Sequence, residues 1–508
     1  VLRTVRDPRR PRSEDSLTPH ASFWTPDGLR VASGGTWLAR PSDGAGPISG
    51  VSIDSRSIAS GQAFIAVKGD RTDGHLYLSD AIARGASLLV VSDEPRHPIP
   101  SGLGVFRVAD TRAALLRLGA AWRKHLEGTR VVAVVGSNGK TTTVRLIDAA
   151  LGSSMRGSAS IKSFNNAVGV PLTILGARRG DHYLVCEVGT SAPGEIGSLA
   201  QVVQPDVAVI TSIGREHLEF LGSLRGVAME EASVLDHLRP GGIGVITSDS
   251  PELDEIVRAR APRIGDSAPA ILRFGAGPSS DVRVVRASHT PEGTTFELND
   301  RATFSIPLIG AHNASNAAAA VAVARRFRVA DEDIRRGLAS VTGAAMRLER
   351  KRIGRVELVN DAYNANPDSV LAAIGTLSGL RPADGGGRVL VLGDMLELGP
   401  DGPSLHDEVV RAAAGDPSIE RFALVGPLMA ARAAIIRAAR GDAGLVAVGD
   451  STESNASRVA RLVGPGDVVL LKGSRGMRLE RIADAIEAAQ RSGTHPTPVS
   501  TASGTGAP

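Results

Sequence analysis

The run "VVAVV" at 131–135 meets "GSNGKTTT" at 136–143, and a helical pattern continues to Leu151. Few stretches constrain a fold so narrowly. A β-branched run bounded by glycines reads as a buried strand, and the spacing after it predicts a helix that starts at Lys140-Thr141. Gly136 and Gly139 let the backbone fold tightly between them, so amide N–H groups and the positive end of the helix dipole converge on one point. That point is suited to an anion. Lys140 adds a mobile charge and a threonine hydroxyl can ligate magnesium, which together suggest a nucleoside triphosphate held by Gly136, Ser137, Asn138, Gly139, Lys140, Thr141 and Thr142. The motif is the shorter G-x-x-G-K-T form, because Val134 stands where the eight-residue P-loop has its first glycine.

A strand, turn and helix of this kind belongs in a parallel α/β sheet, and the rest of the chain agrees. Strand-like runs alternate with alanine-rich helical ones through most of the 508 residues, with a more β-rich stretch at 271–310. At this length about three domains are expected. Shifts in pattern place disordered tails at 1–22 and 489–508, an N-terminal domain at 23–125, a central ATP-binding domain at 126–345 and a C-terminal domain at 346–488. With 58 basic and 54 acidic side chains the formal charge is only +4, which gives no case for nucleic acid or a membrane surface. No apolar run approaches the roughly 18 residues of a membrane span. The first 22 residues carry charge without an apolar core, so no signal peptide is expected in them. Cys186, the only cysteine, lies in the apolar run "HYLVCEV" and reads as a buried structural thiol. A cytoplasmic protein is expected.

Several other segments carry a resemblance to a known family. They are "DSRSIASGQAFIAVKGDRTDGH" (54–75), "SFNNAVGVPLTIL" (163–175), "EVGTSAPGEIGSLAQVVQPDVAVITSIGREHLEFLGS" (187–223), "GAHNASNAAAA" (310–320), "NDAYNANPDSV" (360–370), "VLGDMLELG" (391–399) and "KGSRGMRLE" (472–480). Together with the phosphate loop they resemble the MurF family of Mur ligases, the UDP-N-acetylmuramoyl-tripeptide:D-alanyl-D-alanine ligases, over residues 23 to 488. The resemblance implies a three-domain Mur ligase architecture with a central P-loop ATPase domain and a C-terminal Rossmann-like domain. It also implies ATP and Mg2+ as cofactors, a UDP-muramoyl tripeptide and D-alanyl-D-alanine as substrates, and a monomer. Another amino-acid-adding Mur ligase, a folylpolyglutamate synthase-like ligase and a non-catalytic binder of UDP-muramoyl peptides are the alternatives.

Residue roles follow from the same resemblance. Glu187 and Thr141 would hold one magnesium and His217 a second, although spacing alone would read Glu187 as a strand-end carboxylate and His217 as a surface ring. Asn316 would contact adenine, with a helix cap at Asn313 as the other reading of the segment, and the two can both hold; Arg347 and Asp361 would reach the nucleotide, or else be ordinary inter-domain salt-bridge residues. Asn364, Asn366, Lys472, Ser474 and Arg475 would take D-alanyl-D-alanine, with a plain basic loop as the other reading of "KGSR". Ser55, Arg56, Lys68, His75, Asn165 and Asn166 would contact the UDP substrate. The family usually carries a carbamoylated lysine in the helix after His217, and here Glu231 takes that position. On a helical wheel Leu224, Val227, Ala228, Val234, Leu235 and Leu238 surround Glu231, and Glu230 lies about 100° away at the margin. Glu231 is therefore expected to replace the carbamate with a permanently charged carboxylate.

Overall fold

The computed structural model describes residues 23–69, 72–161, 163–264 and 269–492. The tail expected at 1–22 lies outside them, as does 493–508. The other expected tail is corrected at its start, since the last helix runs Glu480–Ser492 and takes in residues 489–492.

The described residues divide into two compact units, those up to 129 with 164–181, and 130–163 with those from 182 onward. The first unit holds a five-stranded sheet in the order Thr36–Ala39, Gly104–Arg107, Leu88–Val91, Ala63–Ile65, Val51–Ser52. All neighbours but the first pair run parallel. Residues 164–181, which sequence alone kept inside the central domain, supply this unit with the helix Gly169–Gly176. That helix packs on Thr111–Arg123, where a Cβ at Gly119 would lie 2.7 Å from the Pro171 ring, and the Trp122 indole N–H donates to Ala177 O at 3.0 Å. Only glycine at 119 allows so close an approach.

The second unit contains two sheets. Its nine-stranded sheet runs Thr303–Ile306, Gly293–Leu298, Val282–Thr290, Ala270–Gly275, Ile243–Thr247, Val207–Ile210, Arg130–Val135, Tyr183–Glu187, Gly157–Ala159. The last seven are parallel and the first two add an antiparallel edge, which accounts for the β-rich stretch at 271–310. Arg130–Val135 lies inside this sheet, buried on both faces as its unbroken apolar run requires. Cys186 sits buried in the neighbouring strand. Against one face pack Lys140–Gly152 and His312–Arg326; the second helix buries eleven residues, mostly alanines, whose small side chains let it approach the first closely.

The six-stranded sheet runs Glu349–Ile353, Val356–Asp361, Val468–Lys472, Arg388–Gly393, Arg421–Val425, Leu445–Val448, parallel except for the first pair. Helix Pro367–Gly379 opens with Asn366 as N-cap, in a reciprocal capping box with Ser369 and with proline at the first position. The expected α/β class, with parallel sheets and crossover helices, is what the chain adopts.

Candidate active site

The carboxyl end of Arg130–Val135 is where this sheet presents its ligand-binding edge. Gly136 has φ +121° and Gly139 φ +85°, and a Cβ on either would collide with Thr211 Oγ1 at 2.3 Å or Asn316 Oδ1 at 2.5 Å. Both glycines are therefore required by conformation and by space. Thr211 and Ser212, at the end of the adjoining strand, pin the loop from below: Ser212 Oγ accepts from the Asn138 N–H at 2.8 Å and Thr211 Oγ1 donates to Asn138 O at 2.6 Å. The helix then starts at Lys140, whose Nζ donates to Gly136 O at 2.6 Å and Ser137 O at 3.3 Å.

Thr141 Oγ1 donates to Glu187 Oε2 at 2.8 Å, and Glu187 is fully buried at the end of its strand. Two cis oxygens of an octahedral magnesium shell, at 2.0–2.1 Å from the ion, stand about 2.9 Å apart. The pair thus fits one edge of such a shell. His217 and Glu231, expected with them, are held elsewhere. His217 lies in the left-handed region (φ +54°) with Nδ1 2.5 Å from Glu397 Oε2 and Nε2 3.2 Å from Glu216 Oε1. Burial pushes this ring toward neutrality, yet the two carboxylates outweigh it and its pKa is raised. Glu231 Oε2 accepts the Gly136 N–H at 2.8 Å. The four expected metal ligands accordingly form one pair and two separately held groups.

Glu231 is buried, as its place in the apolar stripe implies. Its charge is not permanent, which corrects the expectation: burial pushes the carboxyl up to about 7, with Lys140 and the Gly136 N–H opposing the rise and Glu216 and Glu230 adding to it. The α-helix also ends at Ala232, with a 3-10 turn over Ser233–His237, so the wheel does not extend to Leu238. Glu230 is no marginal residue. It is buried and accepts the Gly194 and Ile196 N–H groups at 2.7 and 2.8 Å, capping the helix Glu195–Val203.

A cavity of about 400 Å³ opens in front of the loop, a volume suited to a nucleotide. Asn138, Gly139, Thr142, Asn316, Arg347 and Asp361 line it. Asn313 Nδ2 donates to Ile309 O at 2.7 Å and Asn313 Oδ1 accepts from Asn316 Nδ2 at 3.0 Å, which fixes the Asn316 amide. The Arg347 guanidinium stacks 4.1 Å from the Tyr363 ring centroid and donates to Ser163 Oγ at 3.3 Å. Lys472 also lines this cavity, apart from the group with which it was expected: it is buried, pairs with Asp361 Oδ2 at 2.8 Å and donates to Asn364 O at 2.8 Å. The two residues are direct neighbours on adjacent parallel strands.

A smaller cavity of about 110 Å³ gathers Asn364, Asn366, Ser474 and Arg475 with Glu216, His217 and Glu397. Here Asn366 does more than line a wall, since Oδ1 caps its helix at 2.8 Å and Nδ2 donates to Asn138 Oδ1 at 2.9 Å. Ser474 Oγ accepts the Leu396 N–H at 3.0 Å, and Arg475 pairs with Glu480. In the first unit, Ser55 is buried, Arg56 is paired with Asp54, and Lys68 is paired with Asp93 at 2.6 Å. His75 is held between Asp73 Oδ1 at 2.6 Å and the Ser92 N–H at 2.9 Å, and Asn166 Oδ1 accepts the Val168 and Gly169 N–H groups. Asn165 lies beside it in the same unit.

Three features escaped sequence reasoning. Arg215 joins Asp368 at 2.7 Å and Glu408 at 2.7 Å, Glu397 reaches His217 from the six-stranded domain, and Glu216 lies buried beside Lys140. Their partners are far away in sequence, so only the acidic residue next to a histidine in "GREHLE" gave any sign.

Residues 47–122 match the Mur ligase family catalytic domain, 134–324 the Mur ligase middle domain and 346–475 the Mur ligase glutamate ligase domain. The UDP-N-acetylmuramoyl-tripeptide–D-alanyl-D-alanine ligase of Bacillus subtilis is 36% identical, over 89% of this chain and 96% of that protein. The enzyme of the same name from Escherichia coli is 31% identical, over 86% and 93%. Among solved structures, MurF from Acinetobacter baumannii aligns with a TM-score of 0.77 at 31% identity, covering 91% of this chain and 99% of that one.

Proposed function

The chain belongs to the Mur ligase family, among the UDP-N-acetylmuramoyl-tripeptide–D-alanyl-D-alanine ligases, and from that premise we propose how its residues divide the work. It is an ATP-dependent ligase that joins D-alanyl-D-alanine to the UDP-muramoyl tripeptide in peptidoglycan biosynthesis. In the proposed course, the terminal carboxylate of the tripeptide attacks the γ-phosphorus of ATP. The bond to the bridging oxygen breaks and ADP leaves. The amine of D-alanyl-D-alanine then attacks the carbonyl carbon of the acyl phosphate, phosphate departs, and the amine gives up a proton.

Two anions meet in the first step, so charge placement decides its rate. The observation that carries this reading is the Thr141–Glu187 pair one residue from Lys140, facing a nucleotide-sized cavity. Backbone N–H groups of the 136–141 loop and Lys140 would hold the phosphates, and Asn316 the adenine, with Arg347 and the Asp361–Lys472 pair closing the cavity from the six-stranded domain. Thr141 and Glu187 would hold one magnesium ion, and His217 with Glu231 would serve a second. When bound, such ions supply positive charge between phosphate and carboxylate. Asn364, Asn366, Ser474 and Arg475 would receive the dipeptide. Ser55, Arg56, Lys68, His75, Asn165 and Asn166 remain the proposed UDP side, with His75 and Asn166 shaping loops rather than offering free groups.

Among the described residues no helix is long and apolar enough to cross a membrane, and a cytoplasmic monomer is part of the proposal. Phosphate release should require the UDP-muramoyl tripeptide and D-alanyl-D-alanine together. Equal turnover with a single D-amino acid or glutamate as acceptor would overturn the proposed dipeptide site.

A further inference from the structure

Glu216 is buried, with 7% of its surface exposed, between the phosphate loop and the six-stranded domain. Its two oxygens are in unlike situations. Oε1 lies 3.2 Å from His217 Nε2 and accepts a long hydrogen bond from Asn364 Nδ2 at 3.4 Å. Oε2 is fully buried, and among the described residues no group donates to it. The nearest cation is Lys140 Nζ at 4.0 Å, the outer limit of an ion pair, while that ammonium donates instead to Gly136 O and Ser137 O. A buried carboxylate oxygen without a donor is costly, so its retention here calls for a partner that the protein itself does not supply.

The neighbouring histidine is poorly placed to be that site's sole ligand. Both ring nitrogens of His217 face carboxylate oxygens, so one of these contacts must open before the ring can ligate a cation. Glu231 likewise has Oε2 committed to the Gly136 N–H. An acceptor left without a donor for a hard cation is Glu216 Oε2, beside the lysine of the phosphate loop, in a residue that lines the smaller cavity.

We infer that Glu216 is a direct carboxylate ligand of the second divalent cation, a role that neither the P-loop motif nor the expected ligand set assigns to it. This rests on the two-cation reading proposed above. The Lys140 contact would be a resting arrangement: once Lys140 turns to a phosphate, the cation takes its place at Oε2.

Binding of Mn2+ to the full chain, followed by electron paramagnetic resonance with the β,γ-methylene analogue of ATP and the UDP-muramoyl tripeptide present, tests this without turnover. Wild type should hold two ions. Glu216→Gln, which keeps the shape, should weaken the second at least tenfold and leave the first, at Thr141 and Glu187, as an internal sign that the loop is folded. Glu216→Ala, which leaves no amide beside Lys140, should behave the same. A wild type with one ion would overturn the two-cation reading and this inference with it. Two ions in wild type and two of unchanged affinity in both variants would overturn the inference alone.

Discussion

A phosphate entering the site must draw Lys140 away from the carbonyls of Gly136 and Ser137, and the groups behind the loop decide how readily that happens. Glu231 stands directly behind it. Because its carboxyl is built in, activity should not depend on dissolved carbon dioxide, whereas a carbamate would be lost when bicarbonate is stripped. Above pH 7, where its carboxyl is ionised, Glu231→Gln should lower turnover by at least about 100-fold, the effect of removing one preorganised charge. Turnover measured in degassed and bicarbonate-supplemented buffer, for both proteins, checks this. A second buried residue sets a pH limit. His406 is fully buried; its Nδ1–H donates to Gly402 O at 2.6 Å and its Nε2 accepts the Met395 N–H at 3.0 Å, a geometry that requires the neutral ring. Burial holds its pKa below the ordinary value, more than offsetting the Gly402 bond that favours the charged form. The unfolded chain therefore binds the proton first, and stability should fall as pH drops below about 6.5. Thermal unfolding from pH 7.5 to 5.5 should show this slope, and His406→Phe should flatten it while losing about 1 kcal/mol for each hydrogen bond.

Helix Pro367–Gly379 shows how one cap serves two purposes. Asn366 Oδ1 closes the capping box and Nδ2 reaches Asn138 of the phosphate loop. Asn366→Asp keeps the acceptor and should preserve the melting temperature while weakening ATP binding; Asn366→Ala should lose both, with about 1 kcal/mol of stability. Calorimetric binding and thermal melts separate the two effects. The same contrast marks what sequence could reveal. The loop at 136–141 was legible because its glycines, lysine and threonine act within one turn of chain, and the strands were legible because burial on both faces leaves unbroken apolar runs. The contacts of Glu230 and Lys472 were not legible because their partners, the amides of 194 and 196 and the Asp361 carboxylate, are set by tertiary packing and strand register. A helical wheel reports which side faces inward, not which donors wait there.

Within the second unit the nine-stranded and six-stranded domains meet through Arg215, whose guanidinium bridges Asp368 and Glu408 and whose backbone N–H also donates to Asp368 Oδ2. The two carboxylates raise its pKa against burial, so the charge is permanent. Arg215→Ala should raise the KM values for ATP and D-alanyl-D-alanine together, severalfold, and leave that for the UDP substrate nearly unchanged; steady-state kinetics at low and high salt would show the wild type approaching the variant as screening grows. The return of residues 164–181 to the first unit has a further consequence, for the order of events at the ribosome. Until Ala177 has emerged, the Trp122 indole lacks this acceptor, and until Pro171 has emerged the Gly119 face lacks its cover. The unit begun first is thus not the first that can be finished. The phosphate-loop strand and helix, 130 to 152, are synthesised while it is still incomplete, and a fragment ending at Thr129 would carry an exposed apolar face that the intact chain hides.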